Sequence, residues 1–201
     1  METFSAVSQR RSIRRFSGRE IPKELVEKIL CAAILAPSAK NRQPWKFIVI
    51  SGKEKDSMLK AVKCGIENEK RGNGLLPHYT RFISGAENTV KIMEQAPVTV
   101  FVFNTEAGTL WDSASAVSIE SKLADIANIQ SVGAAIENMI LAATDLGIGS
   151  LWICDIFFAY REICAWLGEK NQLTAAVSLG YADESPYPRP RKKLDDVVTW
   201  R

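Results

Sequence analysis

Histidine is nearly absent from this chain, since His78 is the only one among 201 residues. It lies in the polar stretch RGNGLLPHY, with no cysteine or carboxylate at metal-ligand spacing, so a zinc site around it is not expected. A GxSxG stretch is also missing, which removes the nucleophile turn that a hydrolase would pair with His78. These absences argue against a zinc enzyme and a hydrolase, and we expect no metal site.

Paired cysteines and long uninterrupted apolar runs are missing as well. The four cysteines form no CxxC pair and are Cys31, Cys64, Cys154 and Cys164. Most lie in apolar segments, which predicts buried free thiols in a reducing compartment. The start METFSAVSQRR has no apolar stretch of signal-peptide length, and charged and polar residues interrupt the apolar region 132–154. We therefore expect a cytoplasmic protein that does not span a membrane.

Neither sign of charge dominates. The 26 Lys and Arg residues stand against 23 Asp and Glu, a net charge of +3, which argues against general binding to nucleic acid or membranes. A hydrophobic content of 46% is ordinary for a globular domain of this length. We expect one domain over residues 1–201, in which local clusters supply any affinity for anions.

Apolar periodicity and turn residues predict alternating helices and strands. The predicted helices cover residues 22–36, 53–64, 86–95, 115–127, 131–146 and 157–168. The predicted strands cover residues 45–50, 98–103, 150–154 and 174–181. Residues 65–85 are rich in Gly, Asn and charge, which favours a long loop that could form a lid. The proline-containing segment 182–201 is expected to run extended.

The stretch QRRSIRRF concentrates positive charge near the start of the chain. Its cations are Arg10, Arg11, Arg14 and Arg15. The guanidinium fork matches phosphate oxygens and Ser12 adds a hydroxyl donor, so the stretch suits a phosphate site as well as a solvated basic arm. A second basic segment, RPRKK at 189–193, lies at the other end of the chain. Composition does not decide whether the two segments meet.

The stretch APSAKNRQPWKF, residues 36–47, joins a predicted helix to a predicted strand. Its small residues, Ser38, Ala39 and Asn41, offer amide and hydroxyl groups with little steric bulk, as a polar cofactor would need. An ordinary helix-to-strand turn has the same composition. The pattern therefore leaves both interpretations open.

Four stretches taken in order resemble the FMN-dependent nitroreductase family. They are RRSIRRF, APSAKNRQPWKF, GAAIENMILAATDLGIGSLWI and SLGYADESPYPRPRKKLDDVV. The resemblance implies an α+β fold with a central mixed or antiparallel sheet flanked by helices. It also implies an intertwined homodimer with FMN at the interface and a C-terminal extension over the partner. The predicted elements alone would also allow a doubly wound α/β sheet.

The resemblance assigns the basic residues to FMN. Arg10 and Ser12 are implied at the phosphate, together with Arg191 and, as a helper, Arg189. Arg14 falls where the family keeps a cation beside flavin N1 and the C2 carbonyl, where a fixed positive charge favours the reduced flavin. Arg11 corresponds to a position near the ring and ribityl chain. Arg15 receives no role beyond solvation.

The resemblance also assigns contacts to the flavin ring. Those implied from the partner subunit are Pro37, Ser38 and Asn41. Those implied from the turn after the central helix are Leu151, Trp152, Ile153 and Cys154, with a backbone N–H near Cys154 directed at N5. Some relatives carry a Pro and a Glu-Gly pair in this turn. Trp152 and Ile153 are equally expected as core residues of a short strand.

The implied reaction is ping-pong hydride transfer from NADH or NADPH through flavin N5 to a nitroaromatic, quinone or similar small acceptor. No side chain is expected to act as acid or base. Residues expected to cover the flavin and meet the substrate are His78, Tyr79 and Trp111. Reductive dehalogenation, BluB-like flavin fragmentation and a noncatalytic flavin-binding or anion-binding module remain alternatives.

Overall fold

The computed structural model describes residues 2–108 and 118–201. The helices are α1 (Thr3–Gln9), α2 (Lys23–Ile34), α3 (Glu54–Lys70), α4 (Ile83–Gln95), α5 (Ile119–Asp145) and α6 (Tyr160–Leu167). The strands are β1 (Trp45–Ser51), β2 (Val98–Gly108), β3 (Gly149–Ile153) and β4 (Asn171–Gly180). Every strand was predicted from the sequence, and α1 is the helix that was not.

The four strands form one antiparallel sheet in the order β1-β2-β4-β3. Val100 of β2 lies opposite Val49 on one side and Val177 on the other, and Val177 lies opposite Trp152 of β3. An antiparallel sheet with helices on its faces confirms the α+β fold. It excludes the doubly wound parallel sheet that the predicted elements alone allowed.

Helices cover both faces of the sheet and produce two apolar cores. On one face, Ile29 of α2 and Met139 of α5 pack against Val100 and Val177. On the other face, α3, α4 and α6 cover a core that includes Phe101. Full burial of each large apolar side chain contributes about 1.5–3 kcal/mol. Because β3 is an edge strand, one of its sides stays open for other segments.

Helix α5 is continuous, whereas the sequence predicted two helices over 115–127 and 131–146. Ser118 caps its first turn by accepting a hydrogen bond from the Ser121 amide at 3.2 Å. Asn128 and Ser131 sit where the break was expected, but both are buried, and the Ser131 hydroxyl donates to the Ala127 carbonyl at 2.8 Å. An 18-residue window of this helix has a mean hydropathy of 1.2, so the helix could cross a membrane by length and composition only. It packs on α2 and the sheet, as a core helix does.

Helix α3 continues to Lys70, so the predicted loop over 65–85 is shorter than expected. Gly65 was interpreted as the start of that loop, but it lies inside the helix where α3 meets Ala159. A Cβ at Gly65 would overlap Ala159, so the glycine permits close packing and does not end the helix. At the far end, a turn at Thr80–Phe82 leads directly into α4.

The two terminal segments meet at the open edge of the sheet. Ser12 forms a parallel bridge with Ser150 of β3, and Phe16 forms an antiparallel bridge with Ala182. After β4 the chain runs without further helix or strand except for a short turn at Leu194–Asp196. The segment 182–201 therefore lacks regular structure apart from this turn, as predicted, and its extension over a partner stays a prediction.

The cysteines are all free, as predicted, but burial was wrongly predicted for three of them. Cys31 and Cys64 lie on the exposed sides of α2 and α3, and Cys154 is exposed after β3. Cys164 alone is buried. Burial, together with the charge of Glu169, raises the pKa of the Cys164 thiol to about 12. An apolar sequence neighbourhood does not reveal which side of a helix a cysteine occupies.

Candidate cofactor and substrate sites

The N-terminal arginines and the C-terminal basic segment line one pocket of about 360 Å³, which we call the basic pocket. Its cationic side chains are Arg10, Arg11, Arg14, Arg189 and Arg191, and its hydroxyl side chains are Ser8, Ser12 and Tyr187. Composition left open whether the two segments meet. The structure brings them together.

Hydrogen bonds fix the N-terminal side of the basic pocket. The Ile13 amide donates to the Ser150 carbonyl at 2.9 Å and attaches this segment to the edge of β3. The Glu184 carboxylate accepts from the amides of Arg14 and Arg15. The Arg15 guanidinium donates to the Asp183 carbonyl at 2.6 and 3.2 Å. Arg15, for which only solvation was expected, thus joins the two terminal segments.

The positive charge of the basic pocket is not neutralised by carboxylates. Arg11 donates to the Ser8 carbonyl at 2.7 Å, Arg14 to the Ser12 carbonyl and Arg191 to the Arg189 carbonyl, each at 3.2 Å. Within residues 2–108 and 118–201, none of the five pocket arginines forms an ion pair with Asp or Glu. Guanidinium groups held together in this way suit an anion with several oxygens, such as a phosphate.

Strand β3 presents its backbone to the same side as the N-terminal segment. The side chains of Leu151 and Ile153 are buried in the core, whereas Trp152 is 39% exposed. The flavin contacts predicted for these residues stay predictions. Because the Ser150 carbonyl points to the open edge, the period of two places the backbone polar groups of Trp152 at that edge as well. None of these residues lines the basic pocket, which lies beside the start of the strand.

The loop between α2 and β1 is held in an unusual backbone conformation. Lys40, Asn41 and Gln43 have positive φ angles of 54°, 55° and 52°, the left-handed region that non-glycine residues rarely adopt. The Ser38 hydroxyl accepts from the Gln43 amide at 3.0 Å, which holds the loop closed. The basic pocket of the same chain is not lined by Pro37, Ser38 or Asn41.

A second pocket of about 700 Å³, the aromatic pocket, lies between residues 75–82 and residues 154–160. Tyr79 and Cys154 were singled out from the sequence, and both line it. His78 is exposed and does not line it, and Trp111 lies outside the described residues. Sequence reasoning missed its remaining walls: Leu75, Leu76, Phe82, Asp155, Phe157, Phe158 and Tyr160. The sequence signal for these walls was the run FFAY at residues 157–160, which was interpreted only as part of a helix.

A buried carboxylate holds one wall of the aromatic pocket. Glu69 is only 3% exposed, and its carboxylate accepts from the Leu75 amide at 2.6 Å and the Leu76 amide at 3.0 and 3.1 Å. A Cβ at Gly74 would overlap that carboxylate, so only glycine fits there. The loop that follows α3 is therefore anchored at its centre.

Residues 7–181 match the model of the Nitroreductase family. The chain belongs to the nitroreductase family. A relative from Archaeoglobus fulgidus, provisionally named NADH dehydrogenase/NAD(P)H nitroreductase, is 31% identical over 185 residues, covering 90% of this chain and 85% of the relative. Over a shorter stretch, this nitroreductase-family chain is also similar to an iodotyrosine deiodinase from Haliscomenobacter hydrossis. The two are 39% identical over 70 residues, which cover 34% of this chain and 30% of the deiodinase.

Solved structures share the fold of this nitroreductase-family chain. A BluB-like flavoprotein from Clostridium difficile superimposes with a TM-score of 0.76 at 26% identity, covering 100% of this chain and 99% of the other. An FMN-dependent nitroreductase from Mycobacterium smegmatis, solved with NADPH, gives a TM-score of 0.76 at 21% identity and covers 100% of both chains. The predicted family and fold are therefore confirmed.

Proposed function

We propose that this nitroreductase-family chain is an FMN-dependent oxidoreductase that takes electrons from NADH or NADPH and reduces small acceptors such as nitroaromatics or quinones. The observation that carries the proposal is the basic pocket, where two distant segments present a serine and five arginines that form no ion pair with any Asp or Glu in the described ranges 2–108 and 118–201. The FMN-dependent nitroreductase from Mycobacterium smegmatis shares the fold over the whole chain.

The donor set of the basic pocket fits the phosphate of FMN. Arg10, Ser12 and Arg191 would hold the phosphate oxygens, with Arg189 beside them, since guanidinium and hydroxyl donors bind such an anion without losing an existing ion pair. Bound FMN would supply a two-electron carrier for hydride at N5. Arg14, in the same pocket, would place a fixed positive charge beside N1 and the C2 carbonyl, and Arg11 would lie near the ribityl chain.

The edge of β3 would carry the flavin ring. The backbone polar groups of Trp152 face this edge and, with the backbone N–H near Cys154, would offer donors and an acceptor to the ring. Those of Leu151 and Ile153 face β4 by the same alternation, so these two residues would contribute only apolar packing. No side chain needs to transfer a proton for hydride to move. The chain's own contribution is to bind the cofactor and to orient it.

We propose further that the chain forms an intertwined homodimer. Ile119, Leu123, Ile126 and Ile129 form an exposed apolar stripe at helical spacing along α5, and such stripes mark interaction surfaces. Tyr187 and Trp200 of the C-terminal segment are also exposed, as expected of a segment that lies on a partner. Pro37, Ser38 and Asn41 of the partner subunit would then reach the flavin of this chain. Sedimentation equilibrium tests the dimer directly, and a monomer with bound flavin would contradict it.

The visible absorption spectrum of the purified protein tests the proposed function, with the released chromophore identified against FMN. We expect about one FMN per chain and bleaching of the flavin by NADH or NADPH in the absence of oxygen. Arg10→Ala and Arg191→Ala should each lose flavin, whereas Lys193→Ala, outside the basic pocket, should keep it. A colourless protein that takes up no added FMN would overturn the proposal.

Reductive dehalogenation is a second candidate, favoured by the local similarity to an iodotyrosine deiodinase. BluB-like chemistry with oxygen is favoured by the match to a BluB-like flavoprotein. Offering nitroaromatic, quinone, halophenol and oxygen to one preparation of reduced protein distinguishes these reactions. Bound flavin without turnover of any acceptor would favour a noncatalytic flavin-binding protein.

A further inference from the structure

The aromatic pocket differs in chemistry from the basic pocket. Five of its walls are aromatic rings: Tyr79, Phe82, Phe157, Phe158 and Tyr160. In the part of the chain that the structure describes, no lysine, arginine or histidine lines it. Its volume of about 700 Å³ is in the range of sites that bind small molecules. Aromatic walls of this kind favour a flat, apolar ligand.

Both walls of this pocket are fixed before any ligand arrives. On one side, the buried Glu69 carboxylate holds the Leu75 and Leu76 amides, and the Tyr79 and Phe82 rings lie 6.0 Å apart between centroids. On the other side, the buried Tyr160 hydroxyl accepts from the Leu173 amide at 3.1 Å. A preformed cavity avoids the entropic cost of ordering its walls on binding.

The formal charge in the aromatic pocket is negative. Asp155 is its single charged lining residue among those described, and its carboxylate accepts a hydrogen bond from the Thr89 hydroxyl at 3.3 Å. Burial and the charge of Asp155 raise the pKa of the neighbouring Cys154 thiol, which therefore stays neutral. An anionic ligand would meet a like charge, and among the described lining residues no cation offsets it; the Arg81 guanidinium lies against the Phe82 ring, 4.7 Å from its centroid, but Arg81 does not line the pocket.

We propose that the aromatic pocket binds a neutral planar aromatic molecule and rejects anionic analogues. The inference rests on the proposed function, because it takes this molecule to be the electron acceptor. The pocket reaches Cys154, where β3 ends, so a ligand in it lies beside the strand edge assigned to the flavin. Substrate choice then follows from the charge of the acceptor as much as from its reducible group.

Equilibrium dialysis of the FMN-loaded, oxidised protein without nicotinamide measures binding apart from turnover. The probes are 1-nitronaphthalene and 5-nitronaphthalene-1-sulfonate, which differ by one negative charge. We expect the sulfonate to bind at least about tenfold more weakly, since one unpaired charge in an apolar pocket costs more than 1.4 kcal/mol. Asp155→Asn should reduce the difference in Kd between the two probes. A purely structural role of Asp155 would not produce this effect.

Two rim variants test the aromatic walls. Tyr79 and Phe82 are about half exposed, so Tyr79→Ser and Phe82→Ser should fold normally and raise the Kd for 1-nitronaphthalene about five- to tenfold. Val49→Ser, which removes an exposed apolar side chain outside this pocket, should leave the Kd unchanged.

The outcomes separate this inference from the proposed function. A protein that takes up no FMN overturns the proposed function, and dialysis of the same protein still shows whether the pocket binds the neutral probe. An FMN-loaded protein overturns the inference alone if Tyr79→Ser, Phe82→Ser and Val49→Ser bind 1-nitronaphthalene equally. Equal affinity for the sulfonate and the neutral probe overturns the charge selectivity.

Discussion

The Glu184 carboxylate accepts hydrogen bonds from the backbone amides of both Arg14 and Arg15. These residues are about 170 positions apart in sequence, so one side chain joins the two segments that form the basic pocket. The Asp183 amide strengthens the connection by donating to the Arg15 carbonyl at 2.9 Å. The positions of the arginines in the basic pocket therefore depend on a carboxylate that does not itself line the pocket.

Replacing Glu184 with Gln should weaken FMN binding about tenfold. A hydrogen bond to a charged group contributes about 1.5–3 kcal/mol, and a neutral amide oxygen is a weaker acceptor for the Arg14 amide. The measurement is a fluorescence titration of FMN into the flavin-free protein. Asp195→Asn, in the same C-terminal segment, is the matched control. Unchanged FMN affinity in Glu184→Gln would contradict the positioning role.

Replacing Arg14 with Ala should lower the midpoint potential of the bound flavin. The side chain supplies a cation, whereas the backbone amide of Arg14 makes the bond to Glu184, so the segment should keep its position in the variant. A tenfold loss of affinity for the reduced flavin relative to the oxidised flavin lowers the midpoint potential by about 30 mV for a two-electron couple. Reductive titration against a reference dye measures this shift. Arg14→Lys should restore most of it, and an unchanged potential in Arg14→Ala would contradict the assignment.

Gly74→Ala should destabilise the wall held by Glu69. The new Cβ would overlap the Glu69 carboxylate, which is buried and cannot move away without losing its bonds to the Leu75 and Leu76 amides. Such overpacking costs about 1–3 kcal/mol of unfolding free energy. Urea unfolding measures this cost, with Gly108→Ala as the control because no atom of the described residues lies within 4 Å of a Cβ there. Equal urea midpoints for Gly74→Ala and Gly108→Ala would contradict the anchoring role of Glu69.

The four thiols should react with iodoacetamide at different rates at pH 8. Cys31 and Cys64 are exposed and should be alkylated first, and Cys154 should follow because burial and Asp155 raise its pKa. Cys164, with a pKa of about 12 and no exposure, should react only after unfolding. Peptide mass spectrometry at timed intervals measures the order. Early modification of Cys164 would show that α6 opens readily.

Glu169 should contribute to stability above its unfolded pKa and lose that contribution in acid. Burial opposes ionisation, but hydrogen bonds from Lys46 and from the amides of Asn171 and Lys170 outweigh it and lower the pKa below the usual 4.5. A lowered pKa means that stability falls as the pH drops from about 4.5 through the folded-state value. The unfolding midpoint should be measured at decreasing pH, and it should fall less steeply in Glu169→Gln than in the wild type. Glu67→Gln, at an exposed helix pair, should follow the wild type.

Local sequence predicted the strands because each combines β-branched residues with clear turn residues at its ends. It failed where tertiary packing decides the outcome. Asn128 and Ser131 resemble a break between helices, but α5 buries both, and Gly65 resembles a loop residue although it serves close packing against Ala159. Such contacts come from distant segments, which periodicity does not report.

The basic pocket was predictable in its residues but not in its assembly. Charge and donor geometry marked QRRSIRRF and RPRKK as candidate anion-binding segments, and the resemblance assigned Arg10, Ser12 and Arg191 to the phosphate. The role of Arg15 depended on the position of the Asp183 carbonyl, which no local pattern encodes. The aromatic pocket was mostly missed because its walls come from two segments, each of which has an ordinary explanation on its own. The flavin contacts and the dimer stay predictions until they are measured.

Strand β4 lies between β2 and β3 in the sheet, although it follows both along the chain. During synthesis from the N-terminus, β3 therefore has no strand partner and β2 has only β1 until residues 171–180 leave the ribosome. Pairings between distant segments form slowly, and unpaired strand edges favour aggregation. We expect nascent chains that stop before β4 to need chaperone protection, with flavin binding following only once Arg191 has emerged.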